Sequence, residues 1–169
     1  AEGYCKKIIN KGDEILISKL EHASNVLPWF KIAKETGAVI KYVELKDKKI
    51  TLDEFKKAIT PKTKVASFAY VSNVLGYKIP AKEMCEEAHK HNIIFILDGA
   101  QSTPHFKVSM RDLDCDFYAF SAHKLGGPTG VGVLYGKAKY LQECNPIMLG
   151  GGMNKKIEAD GNYTVYNSV

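Results

Sequence analysis

Two kinds of hydrophobic pattern alternate along the chain. Short β-branched or continuous apolar runs predict strands over Glu14–Ser18 ("EILIS"), residues 38–45 ("AVIKYVEL"), 64–72 ("KVASFAYVS"), 93–98 ("IIFILD"), 116–121 ("DFYAFS") and 130–136 ("GVGVLYG"). Between them lie stretches of helical character. "ASNVLPWFKIAKETG" reads as a loop leading into a helix that Gly37 stops. "TLDEFKKAIT" is a short helix in which Thr51 is placed to cap and Glu54, three residues on, to complete a capping box, with Pro61 closing it. "IPAKEMCEEAHKHN" starts with Pro80 near its first turn and ends at Asn92, and "KAKYLQEC" is a further helical stretch. Strands alternating with helices predict an α/β domain: a mostly parallel sheet flanked by helices. The unbroken run "IIFIL" fits a strand buried on both faces. Residues 150–169 show neither a strand nor a helix period and read as an unfinished segment.

Composition narrows the function classes without naming one. The 169 residues suffice for one domain with a core, and 45% hydrophobic with 25% charged is ordinary for a globular chain. Net charge is 24 − 19 = +5, but lysines alternate with acids, as in "KDKKITLDEFKK", and no basic cluster is interleaved with aromatics. Nucleic acid is therefore not an expected partner. The longest apolar run is too short to cross a bilayer, and no signal peptide is visible. Cys5, Cys85, Cys115 and Cys144 lie far apart with no CxxC pair, so no zinc or thioredoxin-type site is expected and a reducing compartment is the default.

Ligands of open parallel sheets collect beyond the carboxyl ends of the strands. The polar residues there are Glu21 and His22, Asn73, Asp98 and Gln101, then Ser121, His123 and Lys124. Singly, each has a plain reading: Asp98 as the cap of the turn "DGAQ", His22 as a capping histidine, Asn73 as a turn former before Gly76, Gln101 as a solvated helix start, Lys124 as a surface lysine. Together they form a convergent set drawn from about a hundred residues of chain. Lys124 precedes the glycines of "SAHKLGGPTGVGVLYG", and a strand follows them, which is the wrong order for a P-loop; the same glycines do not make GxGxxG. Pyridoxal phosphate chemistry needs a Schiff-base lysine, an acid facing the pyridinium nitrogen, a partner for the phenolic oxygen, a flat group on the ring and donors for the phosphate. Lys124, Asp98, Gln101, His22, and Ser121 with His123 supply these, and Ala122 and Gly126–Gly127 give the lysine and backbone room to approach.

On "GDEILISKLEHASNVLPW", "ASFAYVSNVLGYKIP", "LDGAQSTPH" and "LDCDFYAFSAHKLGGPTGVGVLYG", in order and across about 140 residues, the sequence resembles class V, fold-type I pyridoxal-phosphate enzymes, and among them the SufS-type cysteine desulfurases. The resemblance implies that Lys124 and His22 are catalytic: Lys124 as the Schiff-base lysine and acid–base group, His22 as the ring-stacking histidine. It implies that Asp98 faces the pyridine nitrogen, Gln101 the phenolic oxygen, and Ser121 and His123 the phosphate. Asn73 matches the family asparagine near the ring and the substrate carboxylate. The implied reaction removes sulfur from L-cysteine to give alanine and an enzyme persulfide, passed to a SufU- or SufE-type acceptor for iron–sulfur cluster assembly. A cytoplasmic homodimer is implied for the intact protein, with organellar import left open by a chain that begins without Met.

The sequence also departs from that family. None of the four cysteines matches the family's nucleophile, which lies on a loop C-terminal of the lysine and beyond Val169. The substrate-carboxylate arginine also falls beyond the end, and Arg111 is elsewhere. The GTT-type phosphate turn would precede "AEGYC". "EHASN" lacks the usual second histidine, and "GGGMNKK" lacks a residue between its third glycine and the methionine. The expectation is that residues 1–169 are the central part of an incomplete large, cofactor-binding domain, with the N-terminal segment and small C-terminal domain absent and no turnover by this chain alone. Alternatives are selenocysteine lyase, a kynureninase-like or other class V lyase or transferase, and a degenerate non-enzymatic relative.

Overall fold

The computed structural model describes residues 1–166. Its elements in chain order are α1 (Cys5–Ile8), β1 (Glu14–Ile17), α2 (Leu27–Thr36), β2 (Val39–Tyr42), α3 (Leu52–Ala58), β3 (Thr63–Ala69), α4 (Ala81–Lys90) and β4 (Ile94–Asp98). There follow α5 (Ser102–His105), α6 (Met110–Leu113), β5 (Phe117–Ser121), β6 (Gly132–Gly136), α7 (Ala138–Leu141), β7 (Asn154–Ile157) and β8 (Tyr163–Val165). Of two 3-10 turns, Ala23–Asn25 lies between β1 and α2 and Ala122–Leu125 between β5 and β6.

Six strands form one sheet in the order β2-β1-β3-β4-β5-β6. The first five are parallel and β6 returns antiparallel to β5. The expected mostly parallel α/β sheet is thus the observed one. Successive residues of β1 show why its run is unbroken: Leu16 joins one apolar layer while Ile15 and Ile17 join the other. The first layer gathers Phe55 of α3 and Met84 of α4 around Phe68 and Phe95; the second gathers Trp29 and Ile32 of α2 with Val65 and Phe117. A strand covered on both faces has no polar side to show.

Local signals act where they were read. Gly37 takes φ +78° and ends α2, a left-handed geometry that suits glycine. The Thr51 hydroxyl accepts the Glu54 N–H, while the Glu54 carboxylate pairs with Lys57 at 2.7 Å. Of the capping box it is therefore the threonine half that is present. Residues 150–166 correct the sequence reading: β7 and β8 form an antiparallel hairpin apart from the main sheet. All four residues of β7 are exposed, so no inward–outward alternation marked the strand in the sequence. Residues 167–169 of that unfinished segment lie outside the described residues.

Parallel strands place every carboxyl end on one edge of the sheet. The turns after β1, β3, β4 and β5 therefore share that edge, and each carries sequence-identified polar residues. A buried ionic cluster anchors the opposite end of β5. Asp116 accepts the Phe95 N–H at 2.8 Å, meets His89 Nε2 at 3.1 Å and faces Lys137 Nζ at 3.1 Å.

Candidate active site

Four polar turns meet around one open cavity of about 430 Å³, a size within the range of about 300–1,000 Å³ usual for small-molecule sites. His22, Asn73, Asp98, Gln101, Ser121, His123 and Lys124 all line it. Of the polar residues read from the strand ends, these seven are thus brought together, while Glu21 does not line the cavity. Ser24, Asn25, Ala69, Val71, Ile96 and Leu97 complete much of its wall.

Several plain readings hold at the same time as the convergent one. Asp98 ends β4, and its Oδ1 accepts the Ala100 N–H at 2.8 Å, which caps the turn. Its Oδ2 accepts no protein hydrogen bond among the described residues, so one oxygen fixes the turn and the other is available to a ligand. His22 does cap the Ala23–Asn25 turn, accepting the Ser24 N–H on Nδ1 at 3.2 Å. That bond orients the imidazole within its own turn. Asn73 lies in a turn whose Val74 and Leu75 N–H groups are taken by Ser72 Oγ and which closes at Gly76, φ +68°.

The glycines near Lys124 have two separate tasks. Gly126 ends the Ala122–Leu125 turn with φ +81°, in open space. Gly127 packs so close to Ala122 that a Cβ there would stand 3.2 Å from the Ala122 Cβ. The pair folds the turn that presents His123 and Lys124 from the end of β5. These two glycines close the turn through a left-handed backbone and a close approach to Ala122.

The sequence reading did not give roles to Gly99, Tyr118 or Glu21. A Cβ at Gly99 would stand 2.0 Å from Tyr118 Cζ, and the Tyr118 hydroxyl meets Ser102 Oγ at 2.6 Å and Thr103 Oγ1 at 2.8 Å. Those contacts seat the Asp98–Gln101 turn on β5. Glu21 is half-buried next to His22. Burial pushes its carboxyl up to about 7, against the lowering effect of donors from Ser18, Asn25 and Ala69 and with a further raise from Asp98. The signal that could have found a role for Glu21 is its place directly before His22 in the turn that follows β1.

None of the four cysteines lines the cavity. Cys5, Cys85 and Cys115 are buried. Burial pushes the thiols of Cys5 and Cys115 up to about 11 and about 12, and that of Cys85 upward as well. Such thiols are poor nucleophiles at neutral pH. Arg111 sits on α6, away from the cavity lining. Among the described residues no cluster of His, Cys, Asp or Glu is arranged to hold a metal ion, and no helix is long and apolar enough to cross a membrane.

Residues 1–168 match the Aminotransferase class-V family. The chain belongs to that family. A probable cysteine desulfurase of Halalkalibacterium halodurans is 48% identical over 154 residues, which cover 90% of this chain and 38% of that protein. In structure the class-V chain resembles a cysteine desulfurase of Escherichia coli with TM-score 0.94 and 36% identity, covering 99% of this chain and 42% of that one. It also resembles C-DES, crystallised as a variant with glycine covalently linked to the PLP cofactor, with TM-score 0.83 and 26% identity over 97% of this chain and 44% of that one. The class-V chain thus spans about two fifths of the length of these proteins.

Proposed function

We propose that the chain is the central part of the cofactor-binding domain of a pyridoxal-phosphate-dependent cysteine desulfurase. The observation that carries the reading is the convergence of His22, Asn73, Asp98, Gln101, Ser121, His123 and Lys124, from four strand ends, on one cavity. The donor set fits the cofactor: a carboxylate with one oxygen uncommitted, a primary amine on a neighbouring turn, an imidazole at the wall, and a hydroxyl and a second imidazole beside the amine. When bound, pyridoxal phosphate supplies an electron sink for charge released at the substrate α-carbon.

The protein's part is to bind, orient and move protons. Asp98 Oδ2 would hold a proton on the ring nitrogen through a charge-assisted hydrogen bond, while Oδ1 keeps the turn in place. Lys124 would be the covalent anchor and would move a proton at the substrate α-carbon. Gln101 answers the phenolic oxygen, His22 offers its flat ring, and Ser121 and His123 hold the phosphate. Asn73 serves the ring and the substrate carboxylate.

The proposed substrate is L-cysteine and the products alanine and an enzyme persulfide, with a SufU- or SufE-type protein taking the sulfur toward iron–sulfur clusters. The proposed setting is a cytoplasmic homodimer. High thiol pKa values at Cys5, Cys85 and Cys115 support a sulfur nucleophile outside these residues. Turnover is the test: the intact protein with pyridoxal phosphate and L-cysteine should form alanine and persulfide in equal amounts, and residues 1–169 alone should not. Alanine or persulfide made by residues 1–169 alone would contradict the placement of the nucleophile, and neither product from the intact protein would contradict the reaction.

A further inference from the structure

The Glu21 carboxyl is held by three donors from three parts of the fold. Ser18 Oγ, just after β1, donates to Oε1 at 2.5 Å. The Ala69 N–H, at the end of β3, donates to Oε2 at 2.6 Å, and Asn25 Nδ2 donates to the same oxygen at 2.8 Å. Asn25 is itself fixed: its Oδ1 accepts Ser67 Oγ at 2.6 Å and Trp29 Nε1 at 3.3 Å. Ser18, Asn25 and Ser67 are all buried. His22 lies between Glu21 and Asn25, the two residues that this network fastens to the sheet.

We propose that Glu21 is a positioning residue that holds His22 at the cavity wall by tying its turn to the ends of β1 and β3. The inference rests on the cofactor reading of the cavity. The ring of His22 is exposed, and its own bonds are local, to Ser24 N and Ser24 Oγ. Nothing in those two contacts sets the distance between the turn and Asp98. The Glu21 network does so, because Ala69 and Asp98 end neighbouring strands in direct register. The group needs shape more than charge: no Lys, Arg or His is paired with it among the described ion pairs. A glutamine could donate to Ser18 Oγ in place of accepting from it and still accept from Ala69 and Asn25.

The experiment is a double-mutant cycle in the intact protein, read as pyridoxal phosphate affinity by absorbance titration. Glu21→Ala should weaken binding by about tenfold, as expected for losing a half-buried, multiply bonded acceptor, and Glu21→Gln should stay within about twofold of the unmodified protein. Against a His22→Ala background, Glu21→Ala should cost less than about twofold more, because contacting residues that act through one another are not additive. If Glu21→Ala does not fold, Glu21→Asp, which withdraws the carboxyl by one methylene, takes its place in the cycle with the same expectation. Full additivity with His22→Ala, or a Glu21→Gln loss as large as that of Glu21→Ala, overturns the inference. Absence of binding in the unmodified protein overturns the cofactor reading and the inference together, and is told apart by that control.

Discussion

Tyr118 lies against Gly99 so closely that a Cβ at position 99 would stand 2.0 Å from its Cζ and 2.3 Å from its hydroxyl oxygen. The ring cannot retreat freely, because its hydroxyl lies 2.6 Å from Ser102 Oγ and 2.8 Å from Thr103 Oγ1, and both of those hydroxyls are also within hydrogen-bond distance of the Gly99 carbonyl. This contact seats the turn after β4 on β5, and with it Asp98 and Gln101.

Gly99→Ala is therefore expected to overpack a locked contact. The predicted cost is about 1–3 kcal/mol of folding stability, the usual range for adding a methyl where the surroundings cannot yield. Chemical denaturation measures it. An unchanged midpoint would mean that the turn shifts at no cost.

Stability should depend on pH through Glu21. Its folded pKa, about 7, lies above the ordinary 4.5, so the folded state binds a proton that the unfolded state has already released. Stability then falls as pH rises from about 4.5 to about 7 and is flat, for this group, above that. The span is on the order of 3 kcal/mol, at about 1.4 kcal/mol per pKa unit. Glu21→Gln should remove that slope and be the more stable protein at pH 8. Parallel stability curves for the two proteins between pH 5 and pH 8 would contradict the raised carboxyl pKa.

Lys137 should matter more than a typical lysine. Asp116 is 1% exposed and takes the Lys137 ammonium at 3.1 Å, and Asp114 meets the same ammonium at 2.8 Å. Lys137→Met would leave the buried Asp116 carboxylate with the His89 ring and the Phe95 N–H as its partners. The expected loss is at least about 2 kcal/mol, toward the range of about 3–5 kcal/mol for breaking a buried pair. Thermal unfolding checks it, and a Lys137→Arg control should recover most of the loss.

The sheet was legible because strands buried on both faces carry continuous apolar runs, as "IIFIL" and the "ILI" of residues 15–17 do. The cavity was legible because parallel strands send their carboxyl ends to one edge, so sequence order alone groups Asp98, Lys124 and His22. Other features need the third dimension. The helices α1, α5 and α6 have four residues each, too few for a helical period to show. The hairpin of β7 and β8 is almost wholly exposed and carries no alternation. Glu21 finds the Ala69 N–H 48 residues away, and Gly99 meets Tyr118 across two strands. Neither contact leaves a local pattern. The plain readings of Asp98 and His22 as caps were correct, and a cap whose remaining face lines a cavity can serve both purposes.

The central claim is that Lys124 anchors pyridoxal phosphate. Borohydride reduction of the intact protein after incubation with the cofactor, followed by peptide mapping, tests it most directly. The account predicts a single pyridoxyl label, on the peptide containing Lys124, and its loss in Lys124→Ala. Labelling of another lysine in the unmodified protein, or no label above that of a lysine-rich control protein, would contradict it.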